Sequence, residues 1–163
     1  ALTCSVNDLN PAAQACDGQN SGNDSAAALN NVDLFGYDDW QFLQKKDIGG
    51  GMDTSIDVGL SVTTTNGAQS GSWSVSSDLS SLYNYIAVVL KGGSNWVAYL
   101  YNPPINGGDW TTAGLINGGG RQPDLSHLSL YARSPVPEPT TMLLLGAGLV
   151  GLAGFGRKKF FKK

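Results

Sequence analysis

The chain is short of the side chains that most chemistry needs. Its 163 residues hold one Glu, Glu138, and one His, His127, and only 14% are charged. With so little Glu, helix-favouring acid is missing; the Asp, Asn, Gly and Ser that are abundant favour turns and caps. General acid–base catalysis would have to rest on Asp pairs alone. The strained G-x-S-x-G elbow is absent, and no motif places an acid to complete a triad with His127 and the neighbouring Ser126 and Ser129. These gaps argue against an enzyme and against a cofactor. Two cysteines and one distant His do not complete a zinc set. Asp17–Asp24 and Asp47–Asp57 offer oxygens of the kind calcium takes, but neither carries the Glu that closes an EF-hand loop, and surface Asp in turns accounts for both. No metal site is assigned.

The formal charge of −3 hides an asymmetry. Residues 1–134 hold 12 Asp against Lys45, Lys46, Lys91, Arg121 and Arg133, a net of −7. An acidic body lacks the basic patch that phosphate contact needs, so nucleic acid is not an expected partner.

What is present is 22 Gly with many Ser, Thr and Asn, a composition that leans toward β structure with many loops. Residues 1–31 read as a loop region with one helical turn around Ser25–Leu29. Strand signals begin beyond Val32. Leu34–Leu43 is aromatic. Ile56, Val58, Leu60 and Val62 alternate with polar residues or Gly, and Gly71–Ser76 alternates around Trp73 and Val75. Tyr83–Lys91 is nearly continuous in apolar residues, as in a strand buried on both faces. Asn95–Tyr101 follows a Gly92-Gly93-Ser94 turn, a short strand is expected around Trp110, and Leu125–Arg133 alternates again. The predicted fold is mainly β, an antiparallel β-sandwich or jelly roll, as one domain over 1–134.

Cys4 and Cys16, so close in sequence, are most simply a disulfide in an exported domain. Trp40, Trp73, Trp96 and Trp110 with several Tyr have the chemistry of a sugar-stacking platform, although most aromatics in a small sandwich are core. Trp110, beside Gly107, Gly108 and Asp109, is the candidate glycan contact. His127, alone in an alternating strand, reads as structural.

The last 28 residues differ from the rest. Val136-Pro137-Glu138-Pro139 leads into Thr140–Gly156, 17 residues without charge, and Arg157, Lys158, Lys159, Lys162 and Lys163 close the chain. At about 1.5 Å per residue such a helix reaches roughly 25 Å, a little under a hydrocarbon core of roughly 30 Å. Snorkelling lysines and the inclusion of Phe160 and Phe161 close the gap. One C-terminal transmembrane helix is expected, with the basic cluster fixing topology and the body outside. Within it, Gly146–Gly151 matches G-x-G-x-x-G by accident, because no Rossmann strand precedes it. Ala147 and Gly151 form a small-xxx-small pair suited to close helix packing. Export of the body requires a signal, so the chain is expected to begin after its cleavage, at or near Ala1.

This three-part tail resembles the PEP-CTERM sorting signal of Gram-negative, exopolysaccharide-producing bacteria, on Pro137, Glu138 and Pro139, the Thr140–Gly156 helix and the basic cluster, in that order. The resemblance implies processing near Pro-Glu-Pro by a membrane-embedded exosortase. The body is similar to a recurring group of such proteins, on Cys4, Cys16, Asn23-Asp24-Ser25, Phe35–Trp40, Leu90–Gly93, Ala98–Leu100 and Leu125–Tyr131, a group that brings no activity with it. The organisation expected is an exported domain over 1–134, then 135–163 as Pro-Glu-Pro linker, transmembrane helix and basic cytoplasmic tail. The protein would sit in the inner membrane with its domain in the periplasm, and reach the cell surface or matrix after tail processing. The expected role is structural or adhesive. Two other readings are an accessory subunit of an inner-membrane complex that packs against partner transmembrane helices, and a module that binds calcium or matrix polysaccharide.

Overall fold

A computed structural model describes residues 3–65, 67–133 and 147–149. The chain divides into two compact units, 1–133 and 134–163. The described part of the first unit is mainly β, with two antiparallel sheets and a few short helices. The strands are β1 Leu9–Asn10, β2 Ala15–Ser21, β3 Gln41–Asp47, β4 Met52–Thr54 and β5 Ser61–Thr65. After them come β6 Ser70–Ser74, β7 Tyr85–Gly92, β8 Asn95–Tyr101, β9 Gly107–Thr111 and β10 His127–Arg133. One sheet has the order β1-β9-β6-β5, and the other β2-β8-β7-β10-β3-β4.

One core draws on both sheets. Leu9, Trp73 and Trp110 come from the four-stranded sheet, and Leu43, Val88, Leu90, Val97, Tyr99, Leu128 and Leu130 from the six-stranded one. Central β7 is buried along nearly its whole length, as its continuous apolar sequence predicts. In β10 the expected alternation holds. Leu128, Leu130 and Ala132 enter this core, while Tyr131 joins a second cluster with Leu29, Leu34, Trp40, Ala87, Val89, Trp96 and Ala98. The six-stranded sheet is therefore covered on both faces. The outer cover is the segment from Gly22 to Trp40, which contains helix α1 (Ala26–Asn31) and the 3-10 turn Leu34–Gly36. Ser25 caps α1 by accepting the N–H of Ala28 at 3.0 Å, so the helix begins where the sequence signals it.

Three local expectations change. Leu34–Leu43, read among the strand signals, opens with the 3-10 turn Leu34–Gly36 and is strand only from Gln41. Residues 15–21, read from composition as loop, form β2, because pairing with β8 supplies partners that turn-forming side chains do not refuse. Gly18 makes this possible: its φ is +140°, and a Cβ there would stand 2.7 Å from Val97 Cγ1. Conversely, alternating Ile56–Val62 is strand only from Ser61. The buried side chain of Gln44 takes the place of a neighbouring strand. Its Oε1 accepts the N–H of Val58 at 2.9 Å and of Leu60 at 3.0 Å, and its Nε2 donates to Thr54 Oγ1 and Asp57 Oδ1.

The expected cysteine pair is a disulfide, Cys4–Cys16, with Cα atoms 6.2 Å apart. Beside it, Asp8 accepts from the N–H of Ser5 at 2.8 Å and from the Tyr99 hydroxyl at 2.9 Å, tying the N-terminal loop to β8.

Candidate functional site

β10 presents a row of polar side chains, His127, Ser129, Tyr131 and Arg133, on the face opposite the shared core. The register sets His127 beside Asp47 and Ser129 beside Lys45 on β3, and His127 beside Lys91 on β7. The covering segment brings a carboxylate to nearly every member of that row. His127 Nε2–H donates to Asp24 Oδ1 at 2.5 Å, and the Tyr131 hydroxyl donates to Asp24 Oδ2 at 2.9 Å. Arg133 makes a two-pronged pair with Asp39, and its guanidinium lies 3.6 Å from the Tyr37 ring centroid.

The same segment is tied down elsewhere. Lys91 Nζ donates to the carbonyls of Gly22 at 2.8 Å and Gly93 at 3.1 Å. Burial lowers the Lys91 pKa, with the charge of Asp24 acting the other way. The Asn30 amide pairs with both backbone groups of Trp40, and Trp40 Nε1 donates to the Leu34 carbonyl at 3.0 Å.

The Asp24 side chain is 1% exposed. Burial alone would raise its pKa, but the hydrogen bond and electrostatic attraction of His127, with the Tyr131 hydroxyl, hold it below the usual carboxylate value. Burial and the neighbouring Asp24 push the Tyr131 hydroxyl well up. Next to this pair a cavity of about 270 Å³ is lined by Asp24, Ser25, Ala26, Phe42, Lys45, Asp53 and Tyr131. Lys45 Nζ lies 2.7 Å from Asp53 Oδ2 and 3.8 Å from Asp47 Oδ1. His127 Nδ1 lies 3.5 Å from the same Asp47 oxygen. Carboxylates thus alternate with nitrogen groups along the row Asp24, His127, Asp47, Lys45, Asp53. Both imidazole nitrogens face a carboxylate, so the geometry suits clamping the cover to the sheet.

Sequence reasoning treated His127 alone and missed Asp24, 103 residues away. No local motif links the two residues, and only the folding of the covering segment across β10 brings them together. The segments around Asp24, Phe35–Trp40, Leu90–Gly93, Ala98 and His127–Tyr131 meet in this outer cluster and its ties. The acidic segments considered for calcium are already engaged. Asp17 accepts from Asn20, Asp57 from Gln44 and the Gly59 N–H, Asp24 from His127 and Tyr131, and Asp47 and Asp53 face Lys45. Among the described residues no group of three or more His, Cys, Asp or Glu is arranged to hold a metal ion.

The glycan candidate is corrected. Trp110 is 2% exposed and its ring packs in the core, where a Cβ on Gly71 would meet Trp110 Cζ2 at 2.7 Å. Trp40, Trp73 and Trp96 are buried as well, so these rings present no open face to a sugar.

Pro137, Glu138, Pro139, Gly151, Arg157, Lys158, Lys159, Lys162 and Lys163 lie outside the described residues. Ala147, Gly148 and Leu149 are helical. Among the described residues no helix is long and apolar enough to cross a membrane.

The model of the PEP-CTERM protein-sorting motif matches residues 135–158. No curated protein and no solved structure matches the chain. The chain thus carries a PEP-CTERM sorting signal, which supports an exosortase-dependent exported protein, with exosortase as processing partner and an association with the membrane.

Proposed function

We propose that this PEP-CTERM protein is a non-enzymatic, structural or adhesive component of the cell surface or extracellular matrix. Residues 140–156 anchor it to the inner membrane with the body in the periplasm, and exosortase acting near Pro137–Pro139 releases or relinks the body. The observation that carries the reading is the sorting motif over 135–158, which supports an exported destination. The body supports it in kind. A disulfide suits an oxidising compartment, and the shared core between the sheets suits a β-sandwich of the jelly-roll type. His127 and Tyr131 share Asp24, Lys45 pairs with Asp53 and Arg133 with Asp39, which suits a role in holding the fold.

The test is to express the chain in a host with and without an exosortase and to follow the body by immunoblot of washed membranes, surface extract and medium. With exosortase the body moves to the surface or medium in a shortened form. An unchanged distribution in the two hosts would sink the reading.

A further inference from the structure

The four sheet edges of the folded unit are not alike. An open edge is a template for another strand, and proteins blunt it with short length, charge, Pro or a bulge. β1 is two residues long and runs into Pro11. β4 is three residues long, with Asp53 at its centre. β2 carries Asp17 and loses register between Asp17 and Asn20. β5 has none of these devices. It reads Ser-Val-Thr-Thr-Thr, keeps unbroken register with β6, and has no second neighbour among the described residues. Four of its five residues are β-branched, which suits strand pairing. It also lies in a stretch without charge, Val58 to Ser77, bounded by Asp57 and Asp78. In a body of net −7, neither β5 nor its neighbour β6 carries a carboxylate; along the register the first is Asp109 on β9, two strands in.

We propose that β5 pairs antiparallel with β5 of a second copy of this chain, about a two-fold axis at Thr63. The strand is self-complementary in that register. Ser61 faces Thr65, Val62 faces Thr64 and Thr63 faces its own copy, so hydroxyl or β-branched side chains meet at every step and no like charges do. An isologous contact closes at two copies, and the blunted state of the other edges stops growth into a fibre. The pairing makes no use of the sorting motif, so either proposal can fail without the other.

The test uses the full chain purified in detergent. Wild type sediments at twice 17.0 kDa, and Thr63→Cys under mild oxidation gives a dimer on a non-reducing gel. Thr63→Lys sets two ammonium groups against each other on an exposed position and halves the sedimenting mass, while its far-UV circular dichroism stays that of wild type. Gly151→Leu, in the apolar tail segment, leaves the dimer intact. A monomeric wild type, a folded Thr63→Cys chain that does not cross-link, or a dimer abolished by Gly151→Leu and kept by Thr63→Lys would overturn the proposal.

Discussion

Residues 1–133 and residues 134–163 contrast in charge and in how they hold information. The first unit is acidic, net −7; the second has five Lys and Arg against one Glu. In the tail, meaning lies in residue types in linear order: prolines around an acid, an uncharged apolar run, then basic residues. A family model reads such a string directly. In the body, meaning lies in partners brought together from far apart, such as Asp24 with His127 or Asn30 with Trp40. In the proposed function the tail acts as an address, and the body is what is delivered. Each should therefore be breakable without the other.

The largest separable effect belongs to the tail. Glu138→Ala abolishes processing, so the shortened form disappears from surface and medium, while the thermal midpoint of the body is unchanged. Loss of both together would mean that the two units share more than a chain.

Trp40→Ala is the complementary break. It removes the largest side chain of the outer cover and its hydrogen bond to the Leu34 carbonyl, while the backbone of residue 40 keeps its two bonds to Asn30. The expected cost is about 4 kcal/mol of unfolding free energy, read by denaturant titration, with the tail still processed on whatever body is exported. Cys16→Ser frees a loop with a sequence separation of 12 and should cost about 3 kcal/mol by chain entropy.

Asp24→Asn is the finest probe, at about 2 kcal/mol near neutral pH. Its sign with pH follows from the depressed Asp24 pKa. The carboxylate stabilises the fold fully above its unfolded value, near 3.8, and that contribution is lost as pH falls through the lower folded value. Wild type and Asp24→Asn should differ most at neutral pH and converge in acid. A gap that stays constant down to the acid limit would break the clamp account.

These residues also mark what could be read from the chain alone. β7 announces itself through its continuous apolar run, β8 through the Gly92-Gly93-Ser94 turn before it, β10 through alternation, and α1 as the helical turn around Ser25–Leu29, because in each case local pattern and tertiary burial agree. β2 stayed hidden because its Asp, Gly and Asn favour turns, and only β8 alongside makes it a strand. Val58 and Leu60 keep a strand-like alternation, yet their N–H groups go to the side chain of Gln44, a substitution no periodicity reveals. Asp24 and His127 could be noted separately, but their pairing depends on the covering segment folding back across the sheet. Trp110 drew a functional reading from its loop-like neighbours, while the sheet turns it inward.

The most direct test is the intact mass of the native protein, taken separately from washed membranes and from surface extract and medium. The account predicts a released body that ends near Pro137–Pro139 and retains the Cys4–Cys16 disulfide. A single form that keeps residues 140–163 and is found only in membranes would contradict it.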